Sequence, residues 1–203
     1  MRLGILGGTF DPIHVGHVAA ARVAMDCARL DRVLLVPSAT PPHREPAVAG
    51  AEQRLEMCRL AIAGERGLEV SDIEIRRGGK SYTVDTIRAL HDAHSSDELF
   101  LILGWDAARL FSTWHEPDVI RRLASVIVVS RPGIDTPDAP RLREAGLDPN
   151  RTVLCAGNTP DISGSELRRD LARGESTGEC LPRAVERYIA EHRLYRDNRD
   201  VGC

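Results

Sequence analysis

The segment Arg2-Leu3-Gly4-Ile5-Leu6-Gly7-Gly8-Thr9-Phe10-Asp11-Pro12-Ile13-His14-Val15-Gly16-His17 runs from a short apolar stretch, through two glycines, into an alanine-rich stretch. The apolar stretch reads as a buried strand, the glycines as a tight turn and the alanines as a helix. His14 and His17 stand three residues apart. On a first helical turn that spacing puts both imidazoles on one face, beside the positive end of the helix dipole. A glycine turn after the first strand, followed by a helix N-terminus carrying two donors, predicts an anion site.

The rest of the chain repeats this plan. Arg2 to Leu6, Arg32 to Val36, Glu98 to Leu103 and Ser125 to Val129 read as buried parallel strands. Between them Leu55, Cys58 and Ile62 recur at helical spacing, as do Val84, Ile87 and Leu90, and later Val185, Ile189 and His192. Strand alternating with helix predicts an α/β protein with a doubly wound parallel sheet, a Rossmann-like arrangement. Such sheets bind ligands beyond the carboxyl ends of their strands. That rule selects the segments 7–17, 37–44, 104–114 and 130–133, with 162–168 opening a late helix. The stretch from Gly133 to Asn150, rich in Pro, Asp and Gly, reads as a surface loop with one turn of helix. A single domain over 1–195 and a disordered tail over 196–203 complete the reading.

Composition narrows the class. The chain has 203 residues, 42% of them apolar and 28% charged, which predicts a packed core. Acids outnumber bases 30 to 27, so no broad cationic surface is available for nucleic acid. No apolar run approaches the length of a membrane span, and Met1 leads directly into the first strand, so a cytoplasmic protein without membrane contact is expected. Cys27, Cys58, Cys155, Cys180 and Cys203 are widely spaced, odd in number and without a C-x-x-C pair. Neither a disulfide scaffold nor a zinc site is predicted, and no metal ligands are assigned. Gly78-Gly79-Lys80-Ser81 carries the end of a Walker A loop, but Glu74 occupies the place of its first glycine, and no G-x-G-x-x-G occurs.

At the level of motifs, GGTFDPIHVGH from Gly7 to His17 resembles the signature of the HxGH nucleotidyltransferases, in the wording of the bacterial nicotinate-nucleotide adenylyltransferases. Also similar to that family are Pro41-Pro42-His43-Arg44, Ser81-Tyr82-Thr83-Val84-Asp85-Thr86, Gly104-Trp105-Asp106, Thr113-Trp114 and Ser130-Arg131-Pro132-Gly133. Ile162-Ser163-Gly164-Ser165-Glu166-Leu167-Arg168 and Tyr188-Ile189 follow in the family's order. Gly164, Ser165 and Leu167 depart from the family's Ile-Ser-Ser-Thr-x-Ile-Arg, and Trp105 stands where a small or polar residue is common.

The resemblance implies transfer of AMP from ATP to the 5'-phosphate of nicotinate mononucleotide, with Mg2+ bound mainly through the ATP phosphates. It assigns catalysis to His14, His17, Arg44 and Arg168. ATP falls to Gly7, Gly8, Thr9, Phe10, His14, His17, Arg131, Ile162, Ser163 and Arg168. Arg44, Thr83, Asp106 and Trp114 receive the mononucleotide, with the indole of Trp114 stacking on the pyridinium. A sister enzyme acting on nicotinamide mononucleotide or phosphopantetheine, and a non-catalytic nucleotide sensor, are the alternatives. The sequence leaves room for a homo-oligomer.

Overall fold

The opening apolar stretch forms β1, Arg2–Gly8, and the alanine-rich stretch forms α1, Val15–Cys27. A computed structural model describes residues 1–41, 46–130 and 136–196. After α1 come β2 (Arg32–Pro37), α2 (Ala51–Ala61), β3 (Leu68–Val70), α3 (Ile73–Arg77) and α4 (Thr83–Ala93). Next are β4 (Glu98–Gly104), α5 (Trp105–Ala108), a 3-10 turn over Phe111–Thr113, α6 (Pro117–Leu123) and β5 (Ala124–Ser130). The described chain closes with α7 (Ala139–Glu144), β6 (Thr152–Ala156), α8 (Gly164–Arg173) and α9 (Arg183–Glu191).

Among the described residues the strands form one parallel sheet in the order β3-β2-β1-β4-β5-β6. This is the doubly wound architecture expected from the sequence, and its order reverses between β1 and β4, where such sheets open a crevice. Although the strands read as continuous apolar runs, their side chains divide by parity between two cores. Leu3, Ile5, Leu34, Val36, Leu99, Leu101, Val126 and Val128 pack with Val84, Ile87, Phe111, Ile120 and Leu142 on one face. Val33, Leu35, Phe100, Ile102, Ile127 and Val129 pack with Ala21, Ala24, Met57, Leu167 and Val185 on the other. The small Ala21 and Ala24, both fully buried, let α1 lie close on the sheet.

Three sequence expectations need correcting. Two further strands, β3 and β6, flank the four predicted ones. α7 gives the 133–150 stretch more helix than a single turn, started by Asp138, whose carboxylate accepts from the Arg141 N–H. His192, read from the sequence as either a surface or a core residue, lies exposed at the end of α9 with its ring stacked on Tyr188 at 4.0 Å. A disulfide also joins Cys27 and Cys155, whose Cα atoms are 5.9 Å apart. The run of α1 across β5 and β6 brings together two cysteines that their spacing had separated. Of the predicted tail, Asp197 to Cys203 lie outside the described residues.

Candidate active site

At the end of β1 the chain makes its turn and enters α1 with His14 as the cap residue. The His14 backbone N–H donates to Nδ1 of His17 at 3.3 Å. Nδ1 is therefore the acceptor, which places the proton of a neutral His17 ring on Nε2. The two imidazoles stack with centroids 3.7 Å apart, and the edge of Phe10 meets His17 at 5.0 Å. Gly16 permits this packing. A Cβ there would lie 3.0 Å from Nδ1 of His14 and 3.1 Å from the Pro160 carbonyl. The sequence expectation that both imidazoles share one face at a helix N-terminus is thus realised.

The turn is held from beneath by groups far away in sequence. The Asp11 carboxylate accepts from the N–H groups of Val48 and Ala49 at 2.8 and 3.1 Å, and from the Tyr195 hydroxyl at 2.7 Å. Burial, together with the neighbouring Asp11 carboxylate, pushes the Tyr195 phenol well above its ordinary range, so it stays a donor. Arg168, on α8, donates to the Asp11 carbonyl at 2.7 Å and to Ser165 Oγ at 3.3 Å. Ser165, one of the departures from the family motif, therefore still supplies a hydroxyl to Arg168. Ser163 caps α8, its Oγ accepting from the Glu166 N–H, and the half-buried Ile162 before it packs against the core. Arg54 of α2, 1% exposed, donates to the carbonyls of Ala49, Thr9, Ser38 and Ala39. Burial lowers its pKa, and the field of Asp11 opposes that shift.

Across the switch point, the start of α4 meets the segment that follows β4. The rings of Tyr82 and His115 lie 4.6 Å apart, and Arg88 forms a two-pronged ion pair with Glu116 at 3.1 and 2.7 Å. Thr83 opens α4 between them. Trp114 is half-buried, 5.5 Å from Phe111, so it is neither a sealed core residue nor a fully exposed one. Beneath this wall Glu74 is buried. Its Oε1 accepts from Thr86 Oγ1 at 2.6 Å, and Arg77 donates to the same hydroxyl at 3.0 Å. Burial pushes the Glu74 carboxyl up, and the Thr86 and Ser81 hydroxyls pull the other way.

The sequence-predicted residues thus fall into two groups. Gly7, Gly8, Thr9, Phe10, His14 and His17 follow one another from the end of β1 into α1, and Arg168 reaches them through the Asp11 carbonyl, with Ile162 and Ser163 at the start of its helix. Thr83 and Trp114 belong to the second wall. Asp106 stands apart from both, its side chain 83% exposed and 3.8 Å from Arg109. Arg44 and Arg131 lie outside the described residues. Arg54, Tyr195 and the carboxylate of Asp11 were not singled out from the sequence, and Glu74 was named there only as breaking a Walker A pattern. The available signal was weak: an arginine between apolar helix positions at 51–61, and an aspartate inside the glycine motif.

Among the described residues no cluster of three or more His, Cys, Asp or Glu side chains is placed to hold a metal, and no helix is long and apolar enough to cross a membrane. A cavity of about 600 Å³ lies at the opposite end of the sheet, where Ala124, Val126 and Thr152 start their strands, and it shares no residue with the histidine cluster.

Residues 5–170 match the cytidylyltransferase-like family. A probable nicotinate-nucleotide adenylyltransferase of Bordetella avium is 46% identical over 197 residues, covering 96% of this chain and 98% of the relative. Similarly named proteins of Geobacter sp. strain M21 and of Thermus thermophilus are each 44% identical, covering 98% and 97% of this chain and all of each relative. The fold resembles that of Plasmodium falciparum nicotinic acid mononucleotide adenylyltransferase complexed with NaAD, with a TM-score of 0.80 at 18% identity, over 96% of this chain and 97% of that one.

Proposed function

Since the chain belongs to the cytidylyltransferase-like family and, within it, to the nicotinate-nucleotide adenylyltransferases, we propose that it transfers AMP from ATP to the 5'-phosphate of nicotinate mononucleotide, giving deamido-NAD and pyrophosphate. The observation that carries this reading is the convergence of His14, His17 and Arg168 on the glycine turn at the end of β1.

The substrate brings its own nucleophile. A phosphate oxygen of the mononucleotide forms a bond to the α-phosphorus of ATP, and the bond from that phosphorus to the β-bridging oxygen breaks, releasing pyrophosphate. The protein's task is alignment and charge stabilisation. His17 donates through Nε2 to the α-phosphate, and His14 lies stacked against it. Arg168, oriented by the Asp11 carbonyl and Ser165, neutralises charge on the ATP phosphates, and Arg131 adds to it. Ser163 and Ile162 present the α8 N-terminus to the same phosphates. Arg44 takes the mononucleotide phosphate, Thr83 and Asp106 hydrogen-bond the nucleotide, and Trp114 stacks on the pyridinium. Mg2+ held by the triphosphate would add charge neutralisation there, since the buried carboxylates of this region, Asp11 and Glu74, already accept from protein donors.

Pyrophosphate release with ATP and Mg2+ tests the reading, comparing nicotinate mononucleotide, nicotinamide mononucleotide and phosphopantetheine. Turnover is expected with nicotinate mononucleotide, with kcat/KM at least about tenfold above the amide, because donors arranged for a carboxylate match an amide NH2 poorly. Parity between acid and amide would indicate dual specificity. Preference for phosphopantetheine would move the chain to a sister reaction.

A further inference from the structure

We propose that Arg54 is a positioning residue for adenylyl transfer: its buried guanidinium ties the turn that holds ATP to the wall that holds the mononucleotide, and so sets their mutual alignment. The inference rests on the reading above and adds a residue to it.

All three guanidinium nitrogens are used, and every partner is a main-chain carbonyl. Nη1 donates to Thr9 at 2.7 Å, Nη2 to Ser38 at 2.7 Å and Ala39 at 3.2 Å, and Nε to Ala49 at 3.1 Å. Thr9 lies in the turn that leads to His14 and His17. Ser38 and Ala39 lie just after β2, and the turns leave adjacent strands side by side: Gly8 is the register partner of Pro37, and the Ser38 N–H donates to the Gly8 carbonyl at 2.9 Å.

A trans peptide carries its C=O and N–H in opposite directions. By drawing the Thr9 carbonyl inward, Arg54 turns the Phe10 N–H the other way. By drawing the Ser38 carbonyl inward, it turns the Ala39 N–H toward Ser81, whose Oγ accepts it at 2.9 Å. The Ser81 N–H in turn donates to the Thr40 carbonyl at 2.9 Å, and Ser81 immediately precedes Tyr82 and Thr83. One side chain therefore connects the donor turn to the acceptor wall through a continuous set of hydrogen bonds.

A planar fork can satisfy several carbonyls at fixed angles, whereas an ammonium is a point charge that cannot reproduce that geometry. The alignment argument also sets the size of the effect, since misplacing reacting groups by about 1 Å costs on the order of 10²-fold in rate.

The test uses the full chain. Arg54→Lys and Arg54→Ala are purified, their folding checked by circular dichroism and thermal unfolding, and pyrophosphate release is measured well below each melting temperature. Arg54→Lys is expected to fold and to lose roughly 30- to 100-fold in kcat, with KM for ATP and for nicotinate mononucleotide each within about threefold of wild type. Arg54→Ala is expected to regain several-fold in kcat with millimolar guanidinium chloride and not with equal sodium chloride. A lysine variant with a lower melting temperature but kcat within about twofold of wild type overturns the proposal, as does a guanidinium effect on melting temperature alone. Failure of both variants to fold assigns Arg54 to the fold and overturns it too. Wild-type turnover is read separately: its absence sinks the parent reading, whereas a normal wild type with an unimpaired lysine variant sinks only the role of Arg54.

Discussion

The turn after β1 and the segment after β4 leave neighbouring strands at the same end of the sheet, and they are held in contrasting ways. Phe10, Asp11, Ile13 and His14 are buried, and the turn is fastened by Arg54, Tyr195 and Arg168, whose bonds come from α2, the segment after α9 and α8. After β4, Ser112, Thr113 and His115 are exposed, and the segment is fastened to α4 by a ring contact and a surface ion pair. Under the proposed reaction the contrast has a physical basis. Donors that meet a developing phosphate charge act best when preorganised away from water, whereas a stacking face for an aromatic ring tolerates small displacements.

The largest effect expected is at the rigid turn. His17→Ala should leave the circular dichroism spectrum unchanged and lower kcat by roughly 10² to 10³, the usual loss of one transition-state donor. Full turnover in this variant would break the assignment of the turn to chemistry. On the open side, Trp114→Ala should raise KM for nicotinate mononucleotide by several-fold to tens-fold and leave KM for ATP nearly unmoved. Equal losses for both substrates would erase the division between the two regions.

Tyr195→Phe separates fastening from chemistry. It removes one buried hydrogen bond to Asp11 while keeping the ring, so urea unfolding should show a loss of roughly 1–3 kcal/mol with KM values little changed. A stability equal to wild type would mean that the other two donors to Asp11 suffice. Arg88→Ala should have the smallest consequence, because an exposed ion pair contributes little. The urea midpoint should stay put and KM for the mononucleotide rise by less than about twofold; a tenfold rise would show that the open wall is more tightly specified than its contacts suggest.

Much of the site was legible because its signals are local. His14 and His17 are one helical turn apart, the glycines adjoin them, and the alternation of apolar strands with helical stripes shows within windows of a dozen residues. The short strands escaped for lack of length: Leu68–Val70 has too few residues to display a period, and Thr152–Ala156 follows a stretch that reads as loop. Arg54 escaped for a different reason. An arginine next to Leu55 on a helix reads as a surface residue unless carbonyls from three other segments are known to surround it.

The sequence by itself determined the α/β class and the placing of two glycines and two histidines at the end of β1, since these depend on spacing along the chain and on the elementary geometry of strands and helices. The tertiary structure alone decided that Arg168 meets Asp11, that Tyr195 closes on the same residue, that Cys27 reaches Cys155, and that Arg54 joins two turns. Those contacts come from stacking helices on a sheet whose strand order differs from chain order. Proximity across that stack is set by packing and backbone hydrogen bonding over the whole domain, which no local window of residues contains.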